Sequence, residues 1–242
     1  MKETTSTLRA VKKRIDGIMV SAGICWTVLV ALTVVFEYRS TSSTATDIAR
    51  AGLREAFNKD IIYRKWAAGH GGVYVPLTGQ TPSNPYLAHL PERDVVTTSG
   101  KQLTLINPAY MTRQVQELGE KEYGLKAHIT SMDPLRPENA PDEWERQALL
   151  RFEKGEQEVW SMDWINGQAF MRFMRPFFVE EGCLKCHGHQ GFKVGDVRGG
   201  ISLSAPWAPF EASAFRHIYH GVIAYCSIWL AGLVGLLVSW TS

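Results

Sequence analysis

The sequence predicts an α+β domain with a mostly antiparallel sheet, flanked by two transmembrane helices. Three observations carry that expectation. Two uncharged apolar runs lie near the ends of the chain, helix-type and strand-type periodicities alternate between them, and an Asn-Gly turn signal separates two consecutive strand candidates. The 242 residues carry a formal net charge of +2, too balanced for a nucleic-acid binder, and the apolar and aromatic content is too high for a disordered chain.

The first run, Ile18 to Phe36, reads IMVSAGICWTVLVALTVVF and holds no charge. At about 1.5 Å per helical residue it is long enough to cross a hydrocarbon core. Its apolar core exceeds that of a signal peptide, and no small-x-small site follows Phe36-Glu37-Tyr38-Arg39-Ser40, which favours an uncleaved anchor over a cleaved leader. Lys2, Arg9, Lys12, Lys13 and Arg14 precede the run and Arg39 alone follows it, so the N-terminus is expected in the cytoplasm. The second run, Gly221 to Trp240, returns the chain. The expected layout is a cytoplasmic segment 1–17, a span 18–36, an exported domain 37–217 in the periplasm of a Gram-negative cell, and a span 218–240 in the inner membrane. Tyr38, Trp207, Tyr219 and Trp240 fall where interfacial aromatic residues belong, and Cys25 and Cys226 read as small side chains packed inside the spans.

Within the exported segment, STSSTATDIARAGLREAFNKDIIYRKWAAGH reads as a helix, either opening at its Ser/Thr/Asp cluster or continuing from the membrane span, with Ile48, Leu53, Phe57 and Ile61 at helical spacing. Gly69, Gly71 and Gly72 end it, and a proline-marked loop follows. KQLTLI reads as a strand. Asn107 caps a helix with Pro108 at its first position, and Tyr110, Met111, Val115 and Leu118 supply the apolar face. LKAHITSM is strand-like, and ENAPDEWERQALLRFEKG is a helix with Trp144, Ala148, Leu149 and Phe152 on one side and Gly155 closing it. EVWSMDWI and QAFMRFMRPF flank Asn166-Gly167 as a hairpin, and VRGGISLSAPW gives a last strand.

Between that hairpin and the last strand stands GCLKCHG, Gly182 to Gly188. A Cys-x-x-Cys serves haem attachment, zinc or thiol redox chemistry, and the following residue separates them. His187 supplies the imidazole that a haem iron needs beside Cys183 and Cys186, the sulfurs that take the vinyl groups. Zinc would want two more ligands, and the other cysteines, Cys25 and Cys226, lie in apolar runs. A thioredoxin-like pair would open a helix in a βαβ unit, a context missing here. Haem c is attached outside the bacterial cytoplasm, where the topology independently places the motif. Arg113, Lys185, Lys193 and Arg198 are candidate partners of the propionates, and Met111, Met174 and His70 are candidate distal groups.

Taken with CLKCHG and GFKVGDVRGGIS, the stretches YRKWAAGHGGVYVP, LTLINPAYMTRQ and PDEWERQAL resemble the periplasmic PAS-like, haem c-binding sensor domains of bacterial membrane histidine kinases, diguanylate cyclases and chemoreceptors. The resemblance covers nearly all of the exported segment. It implies thioethers at Cys183 and Cys186, iron ligation by His187, Met111 as the leading distal ligand, and sensing of a diatomic gas, a redox change or a small ligand. It also implies a homodimer or a kinase or cyclase partner, and no enzymatic activity of the domain itself. Such receptors continue past the second span into output modules, whereas this chain stops at Ser242, so the expectation is a truncated receptor or a free-standing membrane protein that signals through a partner. A membrane-anchored monohaem electron carrier is the alternative, and no second catalytic constellation points to a hydrolase or thiol oxidoreductase.

Overall fold

The computed structural model describes residues 2–184 and 188–241. The chain forms two units, one made of residues up to Ile48 together with those from Ala208 onward, the other of Ala49–Trp207.

The first unit pairs the early part of α1 (Lys2–Gly69) with α4 (Ala208–Thr241) in antiparallel fashion. Near one end His217 Nε2 lies 3.1 Å from Glu37 Oε1, and near the other Trp240 Nε1 donates to Asp16 Oδ1 at 2.8 Å. Between them Trp26 Nε1 donates to the Trp229 carbonyl at 3.1 Å, and Trp229 Nε1 donates to Thr27 Oγ1 at 3.0 Å. Gly232 makes room for this: a Cβ there would lie 2.3 Å from the Trp26 indole nitrogen. Both helices are long and apolar enough to cross a membrane, and their apolar windows are unburied within the chain.

Of the two readings of the helix after the first apolar run, the structure has the continuation: a single helix runs from the span through the Ser/Thr cluster. No glycine or proline stands between Ile24 and Ala51, and Thr46 Oγ1 turns back to the Ser42 carbonyl at 3.1 Å rather than capping a new start. Its buried stripe includes the expected Leu53 and Phe57 together with Ala49, while Ile61 is half-buried and Ile48 is exposed.

In the second unit, a small sheet runs in the order β1-β3-β2, with β1 (Val73–Pro76), β2 (Asp94–Val96) and β3 (Gln102–Ile106) all antiparallel. Only β3 was expected; β1 and β2 are short and lie among prolines and glycines, where periodicity has too few residues to register. The main sheet has the order β4-β7-β6-β5, formed by β4 (Lys126–Thr130), β5 (Val159–Ile165), β6 (Gln168–Phe178) and β7 (Val197–Pro206). The last strand thus lies beside the first, and every pairing is antiparallel. Asn166 and Gly167 have φ of 52° and 78°, the left-handed pair that a two-residue hairpin turn demands.

Helix α3 (Glu143–Glu153) covers one face, with Ala148, Leu149 and Phe152 packed against Val159 and Met174. It starts in a capping box, in which Asp142 Oδ1 accepts from Glu145 N at 2.8 Å and Glu145 Oε2 accepts from Asp142 N at 3.0 Å. Just before β5, Glu158 takes hydrogen bonds from Arg50 at 3.0 Å and from Arg54 at 2.8 and 2.9 Å, tying that stretch of α1 to the sheet. Gly199 sits where a Cβ would lie 2.3 Å from the Thr130 carbonyl oxygen, so β4 and β7 approach as closely as they do only because no side chain is there. Beyond β6, Val179 N donates to the Asp196 carbonyl and Gly195 N to the Val179 carbonyl, both at 2.9 Å, closing the neck of the segment that carries the cysteine motif.

Candidate functional site

Helix α2 (Pro108–Tyr123) forms one wall of a cavity of about 300 Å³. Asn107 caps it as expected, its side chain accepting from Tyr110 N at 2.9 Å. The expected inward face is met at Tyr110 and in part at Met111, but not at Val115 and Leu118. Tyr110, Thr112 and Gln116 are buried, whereas Val115 and Leu118 are 46% and 61% exposed. The inward face is polar because it borders a cavity instead of a packed core: Gln116 Nε2 reaches Asp60 Oδ2 at 2.9 Å, and Thr112 Oγ1 bonds back to the Pro108 carbonyl at 2.8 Å.

Leu87, Ile129, Leu135 and Phe177 make the cavity's apolar surface, and Arg64, Arg113, Arg136 and Arg198 bring cations to it. The Arg64 guanidinium stacks 4.8 Å above the Phe177 ring. Its Nη1 is buried without a hydrogen-bond partner among the described residues. Burial pulls the Arg64 pKa down, against the opposing influence of Cys183 and Asp60. Asp60 is itself pushed up by burial, with the Gln116 hydrogen bond working the other way. Arg198 is more tightly held. Its Nη1 donates to Ser131 Oγ at 2.6 Å and its guanidinium lies 4.7 Å from the Phe192 ring centre. Burial lowers its pKa too, while Asp133 and Cys183 oppose.

On another wall, His128 meets Glu145. Nδ1 is 3.0 Å from both carboxylate oxygens and Nε2 is 3.0 Å from the Glu138 carbonyl. A carboxylate and a carbonyl both accept, so this setting favours the doubly protonated ring. The Glu145 hydrogen bond is the main cause of a raised His128 pKa. Glu145, 2% exposed, also accepts from Ser202 Oγ and lies 4.0 Å from Arg172.

Of the residues singled out in the sequence, Cys183 lines the cavity. It ends the 3-10 turn Glu181–Cys183, and its Sγ accepts from Glu180 N at 3.4 Å. Lys185, Cys186 and His187 lie outside the described residues. Arg113 and Arg198 join Cys183 at the cavity, whereas Lys193 lies off the lining and its backbone nitrogen bonds Asp196 at 2.7 Å. Met111 is half-buried on α2 and lies off the lining, as does the exposed His70, whose Nδ1 is 2.7 Å from the Trp66 carbonyl. Met174 is fully buried in the core beneath α3. Three residues of the site carried no readable signal: Arg64 sat in a charged helical stretch, His128 in a short strand, and Glu145 in what read only as an acidic helix start.

A family model described as Tll0287-like matches residues 33–206. No curated protein matches the chain. Among solved structures, the crystal structure of the cyanobacterial heme-protein Tll0287 is similar at 18% identity, covering 64% of this chain and 93% of that one, with a TM-score of 0.44.

Proposed function

The chain belongs to the Tll0287-like family, and on that premise we propose that it is a membrane-anchored sensor carrying haem c on Cys183 and Cys186, with His187 on the iron. The observation that carries the reading is that Cys183 borders the described cavity. The residues present fit the group. An apolar wall of Leu87, Ile129, Leu135 and Phe177 suits a porphyrin face, and the unpartnered Arg64 cation suits a propionate. When bound, haem supplies an iron that changes oxidation state or takes a diatomic gas.

The chain's own residues hold, orient and respond. Phe177 sets the plane of Arg64, and Arg198 is fixed by Ser131, so both cations face Cys183 from defined positions. His128 keeps a proton at the same cavity on the Glu145 carboxylate. Of the candidate distal groups, Met111 and His70 both lie off the cavity lining, and a weakly held distal group would leave bound haem able to take a diatomic gas. Support for sensing comes from α1, one helix that contains both the first apolar run and Arg64. A redox or ligand change at the cavity has a covalent route to that run. The PAS-like character is supported by the return of β7 beside β4, and the periplasmic placement of 37–217 by the basic residues before the first run. The domain acts by binding, not by catalysis.

Protein produced with a cytochrome c maturation system should keep its haem through acid-acetone extraction, and Cys183→Ala should lose that resistance. Freely extracted pigment would refute the attachment. Spectra of both oxidation states, with and without carbon monoxide or nitric oxide, separate the classes: gas binding or a ligand change with oxidation state supports the sensor, and unchanging six-coordination supports an electron carrier.

A further inference from the structure

We infer that the Arg64 side of the cavity is a carboxylate receptor, with Arg64 as the residue that selects the group. The inference rests on the cavity being the ligand site proposed above. A buried guanidinium stays charged, and in a low-dielectric wall it needs an anion. Among the described residues Asp60 and Cys183 act on it through space, but none forms an ion pair with it, and its Nη1 is buried and unpartnered there. Asp60 stands one helical turn earlier, yet its carboxylate is engaged by Gln116 and pushed by burial toward its neutral form. Arg198 adds a second cation whose field opposes the charge on Arg64.

The geometry selects among anions. Phe177 packs under the guanidinium plane at 4.8 Å, which leaves the edge of the fork as the free recognition surface. One fork matches the two oxygens and single charge of a carboxylate. A phosphate would bring further oxygens and more charge, and Nη1 of Arg198, the cation whose field reaches Arg64, is already committed to Ser131 Oγ and, at 3.4 Å, to the Asp133 carbonyl. The carboxylate comes from one of two sources, a propionate of the attached haem or a free small carboxylate.

The experiment uses the full-length protein in detergent, as parent, Arg64→Gln and Arg64→Lys, each in a haem-matured form and in a haem-free Cys183→Ala/Cys186→Ala form. Haem attachment is read first by staining a denaturing gel, so failure of the haem reading is seen separately. If the source is a propionate, Arg64→Gln lowers the reduction potential of the matured protein, Arg64→Lys lowers it less, and acetate or succinate has no effect. If the source is a free carboxylate, calorimetry shows acetate or succinate binding to the haem-free parent, at least about tenfold weaker in Arg64→Gln, with partial recovery in Arg64→Lys. Unchanged melting temperatures across the three proteins keep folding out of the comparison. An unshifted potential together with no carboxylate binding in either form overturns the inference, and the haem-free arm decides it even where no haem attaches.

Discussion

His128 and Glu145 are joined by a hydrogen bond: Nδ1 lies 3.0 Å from the carboxylate while Nε2 lies 3.0 Å from the Glu138 carbonyl. Asp142 adds to the negative field, while Arg172, 4.0 Å from Glu145 on β6, works against it; Ser202 on β7 donates to the same carboxylate, and Arg136 and Glu138 flank the ring's outer side. The folded pKa of His128 is raised above its ordinary value of about 6.5. Its contribution is therefore fully present below about pH 6.5 and is lost as pH rises through the folded value. Melting temperature measured across that window should fall on the alkaline side, and His128→Asn should flatten the fall. A parent curve with no alkaline limb would exclude the raised pKa.

Glu158 behaves in the opposite sense. Burial works to raise its pKa, but hydrogen bonds from Arg54 and Arg50 outweigh that and hold it low. Its contribution is present above the ordinary carboxyl value and fades as pH falls through the folded one. Glu158→Gln should cost about 1–2 kcal/mol near neutral pH, less than a fully buried pair because Arg50 and Arg54 keep partial solvation. Urea unfolding at neutral and acidic pH checks this, since the difference between parent and variant should shrink in acid.

Gly199→Ala should destabilise the main sheet by more than about 2 kcal/mol, because the added Cβ meets a backbone oxygen that cannot rotate away. Thermal unfolding gives the value. An effect within about 0.5 kcal/mol would mean that β4 and β7 relax apart.

Gly232→Val should separate the two apolar helices at Trp26, breaking the Trp26–Trp229 hydrogen bond. In a Cys25→Ser/Cys226→Ser background, a Glu37→Cys/His217→Cys pair should cross-link on oxidation in membranes. The yield should drop several-fold when Gly232→Val is added, and an equal yield would show that the helices pair without that close approach.

Much of the fold was legible because its signals are local. The Asn107-Pro108 start, the Asp142 helix start and the Asn166-Gly167 turn each fix backbone geometry within a few residues. The site was less legible because its residues violate periodicity. On α2 the apolar spacing found the buried Tyr110 but also pointed to the exposed Val115 and Leu118, whereas Thr112 and Gln116 are buried, Gln116 because it borders the cavity and bonds Asp60. Glu145 stands at a position where an acidic residue usually faces water, and only the tertiary partners His128 and Ser202 account for its burial. Cys183 was legible from its motif alone, but Arg64, more than a hundred residues earlier, meets it only through folding.

The neck formed by Val179, Gly195 and Asp196 has a consequence for engineering. Its two cross-bonds join backbone groups only, and the side chain that supports them, that of Asp196, lies outside the segment and accepts from the Lys193 backbone nitrogen, so the neck does not depend on which side chains lie beyond it. Closing a longer insertion there adds only about 0.6 kcal/mol of entropy for each doubling of its length. The segment between those anchors is therefore a cassette: another attachment sequence, or one with none, can be grafted between Val179 and Gly195 while β6 and β7 keep their register.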